Sequence, residues 1–110
     1  MIIVSPLNNN SVSASGTNYI KYNNGRLIQW GEASVSSGGY VDVTFSQAFV
    51  DTNYIPVAQA RYPSGGEVNT FLVCCQKVDK TKVRLYAKQP YKDAIVTGVS
   101  IYWVAYGDFK

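Results

Sequence analysis

Asn24-Gly25-Arg26-Leu27-Ile28-Gln29-Trp30-Gly31 opens on an Asn-Gly pair. Both residues accept positive φ, so the pair predicts a tight type I′ hairpin turn. Leu27, Ile28 and Trp30 behind it suit a pleated, half-buried surface. Gly31 marks a place where the strand can bulge or another backbone can come close. Tyr19-Ile20-Lys21-Tyr22 stands in front as the partner strand. The segment reads as a hairpin whose second strand runs centrally in a sheet, and Trp30, like Trp103, is assigned to the core.

Outward from this hairpin the chain continues as strands. Ser36-Ser37-Gly38-Gly39 is a turn by composition. From Tyr40 to Phe45 the pattern alternates, with Val41, Val43 and Phe45 on one face and Tyr40, Asp42 and Thr44 on the other. Residues 46 to 53 connect, with Phe49 tucked beneath. The strand from Tyr54 to Arg61 contains Pro56, which cannot donate a ladder hydrogen bond, so it is either an edge strand or bulged. Strands from Val68 to Val78 and from Thr81 to Lys88 form a hairpin around Asp79-Lys80. In the second of these, Lys82, Arg84, Tyr86 and Lys88 share the face opposite Val83, Leu85 and Ala87. The last strand, from Ile95 to Gly107, is apolar on both faces: Val99, Ile101, Trp103 and Ala105 on one, Tyr102, Val104 and Tyr106 on the other. A partner sheet covers only one face of a two-layer sandwich, so the second cover comes from a loop or from another subunit. The count is about seven antiparallel strands with no amphipathic helix. The fold class is therefore all-β, an antiparallel sandwich over residues 17 to 110, preceded by an Asn- and Ser-rich linker or arm over residues 1 to 16.

Composition narrows the function. A chain of 110 residues makes one domain with a core that needs no metal or disulfide. Its net charge of +3 comes from scattered lysines and arginines, not the basic stripe of a nucleic-acid binder. The absence of histidine removes the commonest general base and metal ligand. Cys74 and Cys75 are neighbours, which on a strand point to opposite faces. They read as reduced thiols acting as small apolar groups, with neither a disulfide nor a zinc site expected. No secretion signal or membrane-spanning run of ~20 apolar residues is apparent.

Three landmarks in order resemble the C-terminal tip domains of bacteriophage tail fibres. The first is the Asn-Gly turn followed by Leu27-Ile28-Gln29-Trp30-Gly31. The second is Val43-Thr44-Phe45, Ala48-Phe49 and Tyr54-Ile55-Pro56. The third is the closing strand Tyr102-Trp103-Val104-Ala105-Tyr106-Gly107. Together they span residues 19 to 107. The Cys74-Cys75 pair and the extension Asp108-Phe109-Lys110 depart from the pattern, and Phe109 packs either at the tip or at a trimer axis. The resemblance implies a homotrimer at the end of a virion tail fibre, made in the bacterial host cytoplasm, whose partner is a bacterial surface polysaccharide or surface protein. It implies no cofactor. Under it, residues 1 to 16 are where the tip joins the shaft, and Ile2, Ile3, Val4 and Leu7 are available to a neighbouring subunit.

No catalytic constellation is visible. Cys–His and Ser–His pairs are impossible without histidine, and the seven acidic residues fall mostly in turns or on outward faces. Loops carried on a rigid sheet are the usual place for binding groups. Two loops offer the aromatic and planar polar groups that a sugar requires: Arg61, Tyr62, Glu67 and Asn69 around one, Tyr91 and Asp93 around the other. The alternative for Tyr62 and Tyr91 is simple packing on the neighbouring prolines. The Tyr40, Asp42 and Thr44 face either serves as a site instead, is solvated, or is buried between subunits. Competing functions are a lectin of the H-type, a fibre-terminating trimerisation cap that binds nothing, and a depolymerase.

Overall fold

A computed structural model describes residues 11–36, 38–61, 72–89, 94–95 and 99–110. They contain β1 (Val12–Ser15), β2 (Tyr19–Tyr22), β3 (Arg26–Ser34), β4 (Tyr40–Thr44), β5 (Ile55–Ala60), β6 (Leu72–Asp79), β7 (Lys82–Gln89), β8 (Ala94–Ile95) and β9 (Ser100–Asp108). One sheet runs β1-β2-β3-β9-β5 and the other β4-β7-β6, with β8 pairing β7 beyond the end of β4. Every ladder among the described residues is antiparallel. The chain is thus an all-β antiparallel sandwich, with β3 in the middle of the larger sheet and the proline-bearing β5 at its edge, where the missing donor of Pro56 costs least.

Several sequence expectations change in detail. The β2–β3 turn is not a two-residue type I′ turn. Tyr22 and Arg26 are joined through Asn23, Asn24 and Gly25; the Gly25 N–H donates to the Tyr22 carbonyl at 3.0 Å, and Gly25 alone of these is a positive-φ glycine, at 95°. This is the three-residue hairpin loop closed by a left-handed glycine. Asn24 assists through its Oδ1, which accepts from the Arg26 N–H at 3.0 Å. Residues 12–15 of the expected arm form the exposed edge strand β1. The final strand is divided, because β8 belongs to the smaller sheet and β9 to the larger. The described residues hold nine β segments against about seven expected, and residues 68–71 of the long strand expected from Val68 to Val78 lie outside the described residues.

The period of two decides what enters the core. On β3 the inward positions are Leu27, Gln29, Gly31 and Ala33, facing the same way as Ile101, Trp103 and Ala105 of β9. Trp103 is buried as expected; Trp30 is not. It lies half-buried on the outer face, paired with Val104. The smaller sheet contributes Val83, Leu85 and Ala87, with Val41 and Val43 against them. Between the sheets Phe45 meets Phe49 and Tyr54 edge-on, each at 5.1 Å, and leans on Trp103 at 5.8 Å. Edge-to-face contacts satisfy the ring quadrupoles.

The polar and small residues of the first and last landmarks have packing roles. Gln29 is fully buried, and its amide pairs with one backbone unit: Nε2 donates to the Gln47 carbonyl at 2.8 Å and Oε1 accepts from the Gln47 N–H at 3.0 Å. This fastens the 45–54 connection across the end of the sandwich. A Cβ on Gly31 would come within 2.9 Å of the Trp103 indole, and one on Gly107 within 2.9 Å of Tyr54 Cβ. Tyr54, buried beside Phe49 in a 4.7 Å stack, donates its hydroxyl to the fork made by the Asp79 and Lys82 carbonyls, each at 2.9 Å. Burial, with the Asp79 charge second, pushes this phenol up to about 12, so it remains a neutral donor.

Gln29→Glu tests the amide clamp. The variant keeps an acceptor for the Gln47 N–H but sets a buried carboxylate oxygen against the Gln47 carbonyl, at an expected cost of about 2–4 kcal/mol near neutral pH. Burial raises the pKa of that glutamate. Its protonated form can donate to Gln47 again, so the deficit relative to the wild type should shrink as pH falls through the raised value. Denaturant melts of both proteins at matched pH values measure this.

Candidate functional surfaces

The sandwich has two distinct ends. At one lie the Gly25 turn, the 45–54 connection, the β6–β7 turn and the start of the described chain, where the Ser11 carbonyl accepts from Asn23 N–H at 2.8 Å and Phe109 N–H donates to Gly25 at 2.8 Å. At the other, β5 ends, β6 begins, β7 ends and the 36–39 turn bonds Ala87. Both loops singled out from the sequence are rooted at this second end. Of their candidate residues, Tyr62, Glu67, Asn69, Tyr91 and Asp93 lie outside the described residues. Arg61 is described: its N–H extends the β5–β9 ladder by donating to Ser100 at 2.8 Å, and its guanidinium pairs with Glu32 at 3.2 Å. This exposed ion pair contributes little stability.

The outer faces of the two sheets differ in chemistry. On the larger sheet Ile28, Trp30 and Glu32 of β3 align with Tyr106, Val104 and Tyr102 of β9, and these with Ile55, Val57 and Gln59 of β5. Ile55, Val57, Tyr102, Val104 and Tyr106 are each between 41% and 54% exposed. Toward the Gly25 turn this surface dips into a groove of about 580 Å³ lined by Tyr22, Arg26, Ile28 and Tyr106. An apolar stretch continuous over three strands is the kind of surface that marks an interaction site.

The smaller sheet presents polar and aromatic groups instead. Asp42 of β4 sits opposite Arg84 of β7 and takes a bidentate pair from it, Nε to Oδ1 at 2.7 Å and Nη2 to Oδ2 at 3.1 Å. The guanidinium lies 4.3 Å over the Tyr40 ring, which leans on Tyr86 at 5.9 Å. The Tyr86 hydroxyl donates to Gln76 Oε1 of β6 at 2.8 Å. The sequence placed Tyr40, Asp42 and Thr44 on one face; Arg84, Tyr86 and Gln76 were not among its candidates, although the alternation along β7 put Arg84 and Tyr86 outward. Cys74 is exposed beside Tyr86 while Cys75 faces inward. Burial pushes the Cys75 thiol above its ordinary range, with Cys74 adding to it.

The described carboxylates are engaged separately: Glu32 with Arg61, Asp42 with Arg84, Asp108 with Arg26, Asp51 with the Asn53 N–H, and Asp79 with Thr81. Among the described residues no cluster of histidine, cysteine and carboxylate side chains is placed to hold a metal. The Arg84 hydrogen bonds hold the Asp42 carboxyl below the usual aspartate range, and Thr81 does the same for Asp79. Both folded values are depressed, so both contributions to stability are complete above the unfolded range, near 3.8, and are lost as pH falls through the lower folded values. Carboxyl NMR titration should find both groups below that reference. Asp42→Asn should flatten the acid limb of the stability curve.

The family model described as tail fiber protein gp53-like, C-terminal, matches residues 21–108. Among solved structures, the N-truncated R1-type pyocin tail fibre aligns with a TM-score of 0.57 and 23% identity over 88% of this chain and 84% of that one. A C-terminal R1 pyocin fibre fragment from P. aeruginosa aligns at 0.57 and 21% over 86% and 27%. The N-truncated R2-type pyocin tail fibre aligns at 0.58 and 12% over 88% and 36%. The chain therefore spans about a third of that R2 structure, and at such identities the likeness is one of fold. No curated protein matches the chain. With the match running from within β2 to the end of the closing β9 strand, the chain belongs to the gp53-like tail fibre C-terminal family.

Proposed function

We propose that this domain is the receptor-binding end of a virion tail fibre, a homotrimer that adsorbs to the polysaccharide of a bacterial surface. The observation that carries this reading is the contrast between the two sheet faces. The apolar outer face of β3, β9 and β5 suits burial between subunits, whereas the polar, aromatic face of β4, β7 and β6 suits contact with a hydrated partner. The polarity of the sandwich supports it further. The described chain enters beside the Gly25 turn, and β5 and β7 end at the opposite side, where a fibre would meet a cell. Weak contacts repeated on three subunits, and again on several fibres, hold by effective concentration. Nothing in this reading requires a cofactor or catalysis.

The apolar face alone would serve a fibre-terminating cap equally well, and one experiment separates the two. The purified protein is applied to a panel of bacterial strains before and after stripping of surface polysaccharide, and its mass is measured in solution. A particle of about three times 12.1 kDa that stains certain strains and loses them on stripping is the expected result. A trimer that stains none supports the cap, and a monomer overturns the assembly. Val104→Asp, which puts a charge at the centre of the apolar face, should shift the mass toward one chain.

A further inference from the structure

We propose that the groove beside the Gly25 turn is the seat of the chain's own N-terminal segment, Ile2 to Leu7, which folds back from Ser11 across β2 onto β3 and β9. This goes beyond the adsorption reading and does not depend on it. The groove, of about 580 Å³, has Tyr22 of β2, Arg26 and Ile28 of β3 and Tyr106 of β9 around it. Pockets of roughly 300–1,000 Å³ take a ligand with several apolar groups. The Arg26 guanidinium is drawn to Asp108 at 3.5 Å, which leaves its aliphatic stem as a wall. Val12 is paired with Tyr22 and is 55% exposed. Residues directly opposite on paired strands share a face, so the apolar lining continues to the point where the described chain begins.

The sequence ahead of that point suits the groove. Ile2, Ile3, Val4, Pro6 and Leu7 are apolar, and Asn8-Asn9-Asn10 separate them from Ser11. Asparagine tolerates left-handed backbone and bonds its own main chain, which favours a reversal of direction between Leu7 and Ser11. The reach is sufficient. Neighbouring strands lie about 4.8 Å apart, so β9 is roughly 10 Å from β2. The four residues from Ser11 back to Leu7 span up to about 13 Å. Docking takes two apolar surfaces out of water together. It also attaches the incoming chain to the central strands β3 and β9, where the β1 ladder alone reaches only β2.

The test uses the 110-residue chain with Cys74→Ser and Cys75→Ala, so that introduced thiols are the only ones. Leu7→Cys with Ile28→Cys, treated with a short bis-maleimide, should give a link within one chain, resolved by mass on a denaturing gel. Leu7→Cys with Leu72→Cys is the comparison, because Leu72 is exposed at the opposite end of the sandwich. Equal yields from the two pairs overturn the proposal. A product joining two chains overturns it too, since a neighbouring copy then fills the groove. Denaturant melts at matched protein concentration give a second reading. Ile3→Asp with Leu7→Asp should raise the unfolding equilibrium constant about tenfold with the groove intact. In an Ile28→Ala background the same pair should raise it less than about threefold, because partners in contact are not additive. Equal effects in both backgrounds mean that the segment does not touch the groove, and the proposal fails.

Discussion

Strand β9 carries two apolar faces on one backbone, and the chain by itself buries only one of them. Its inner residues Ile101, Trp103 and Ala105 meet the smaller sheet, while Tyr102, Val104 and Tyr106 look out from between β3 and β5. Most of the architecture follows from serving the inner face. Gly31 gives way to the Trp103 indole, Gly107 to Tyr54 and Phe49, and the Gln29 amide satisfies the backbone N–H and carbonyl of Gln47. The outer face stays exposed, and apolar surface of this continuity is of the kind that marks an interaction site.

The alternation of residue types made much of this legible before any coordinates. The faces of β4 and β7 and the opposite directions of Cys74 and Cys75 follow from a period of two, and the edge position of the Pro56 strand follows from its missing backbone donor. Failures came where residue type was weighed above period. Trp30 reads as core because it is large and apolar, yet Leu27, buried three residues before it and in phase with Gln29, fixes Trp30 outward. The clamp made by Gln29 is not legible in the sequence, because its buried partner is a backbone amide eighteen residues on, which no local pattern announces. The hairpin loop was misjudged by one residue: Asn23 joins it, and Asn-Gly signals suit both loop lengths.

The candidate surface was harder to read than the fold. Loops were favoured because they commonly carry binding groups, and aromatic loop residues stand out in a sequence. The Tyr40, Asp42, Arg84, Tyr86 and Gln76 cluster is assembled from three strands separated by up to 46 positions, 40 to 86. Only strand register brings these side chains together, and register is a tertiary property. Each residue alone reads as an ordinary outward-facing strand position.

The placement of residue 11 has a mechanical meaning. A pull applied at Ser11 loads β1, which pairs with β2 beside the Gly25 turn. Force applied at that end and resisted at the other is directed along the strands, whereas the ladder hydrogen bonds run across them. Such a load shears the bonds of a strand pair together instead of peeling them one at a time. The edge strand β1, though exposed, is thereby arranged to transmit pull to the central sheet before any single contact is left to bear it.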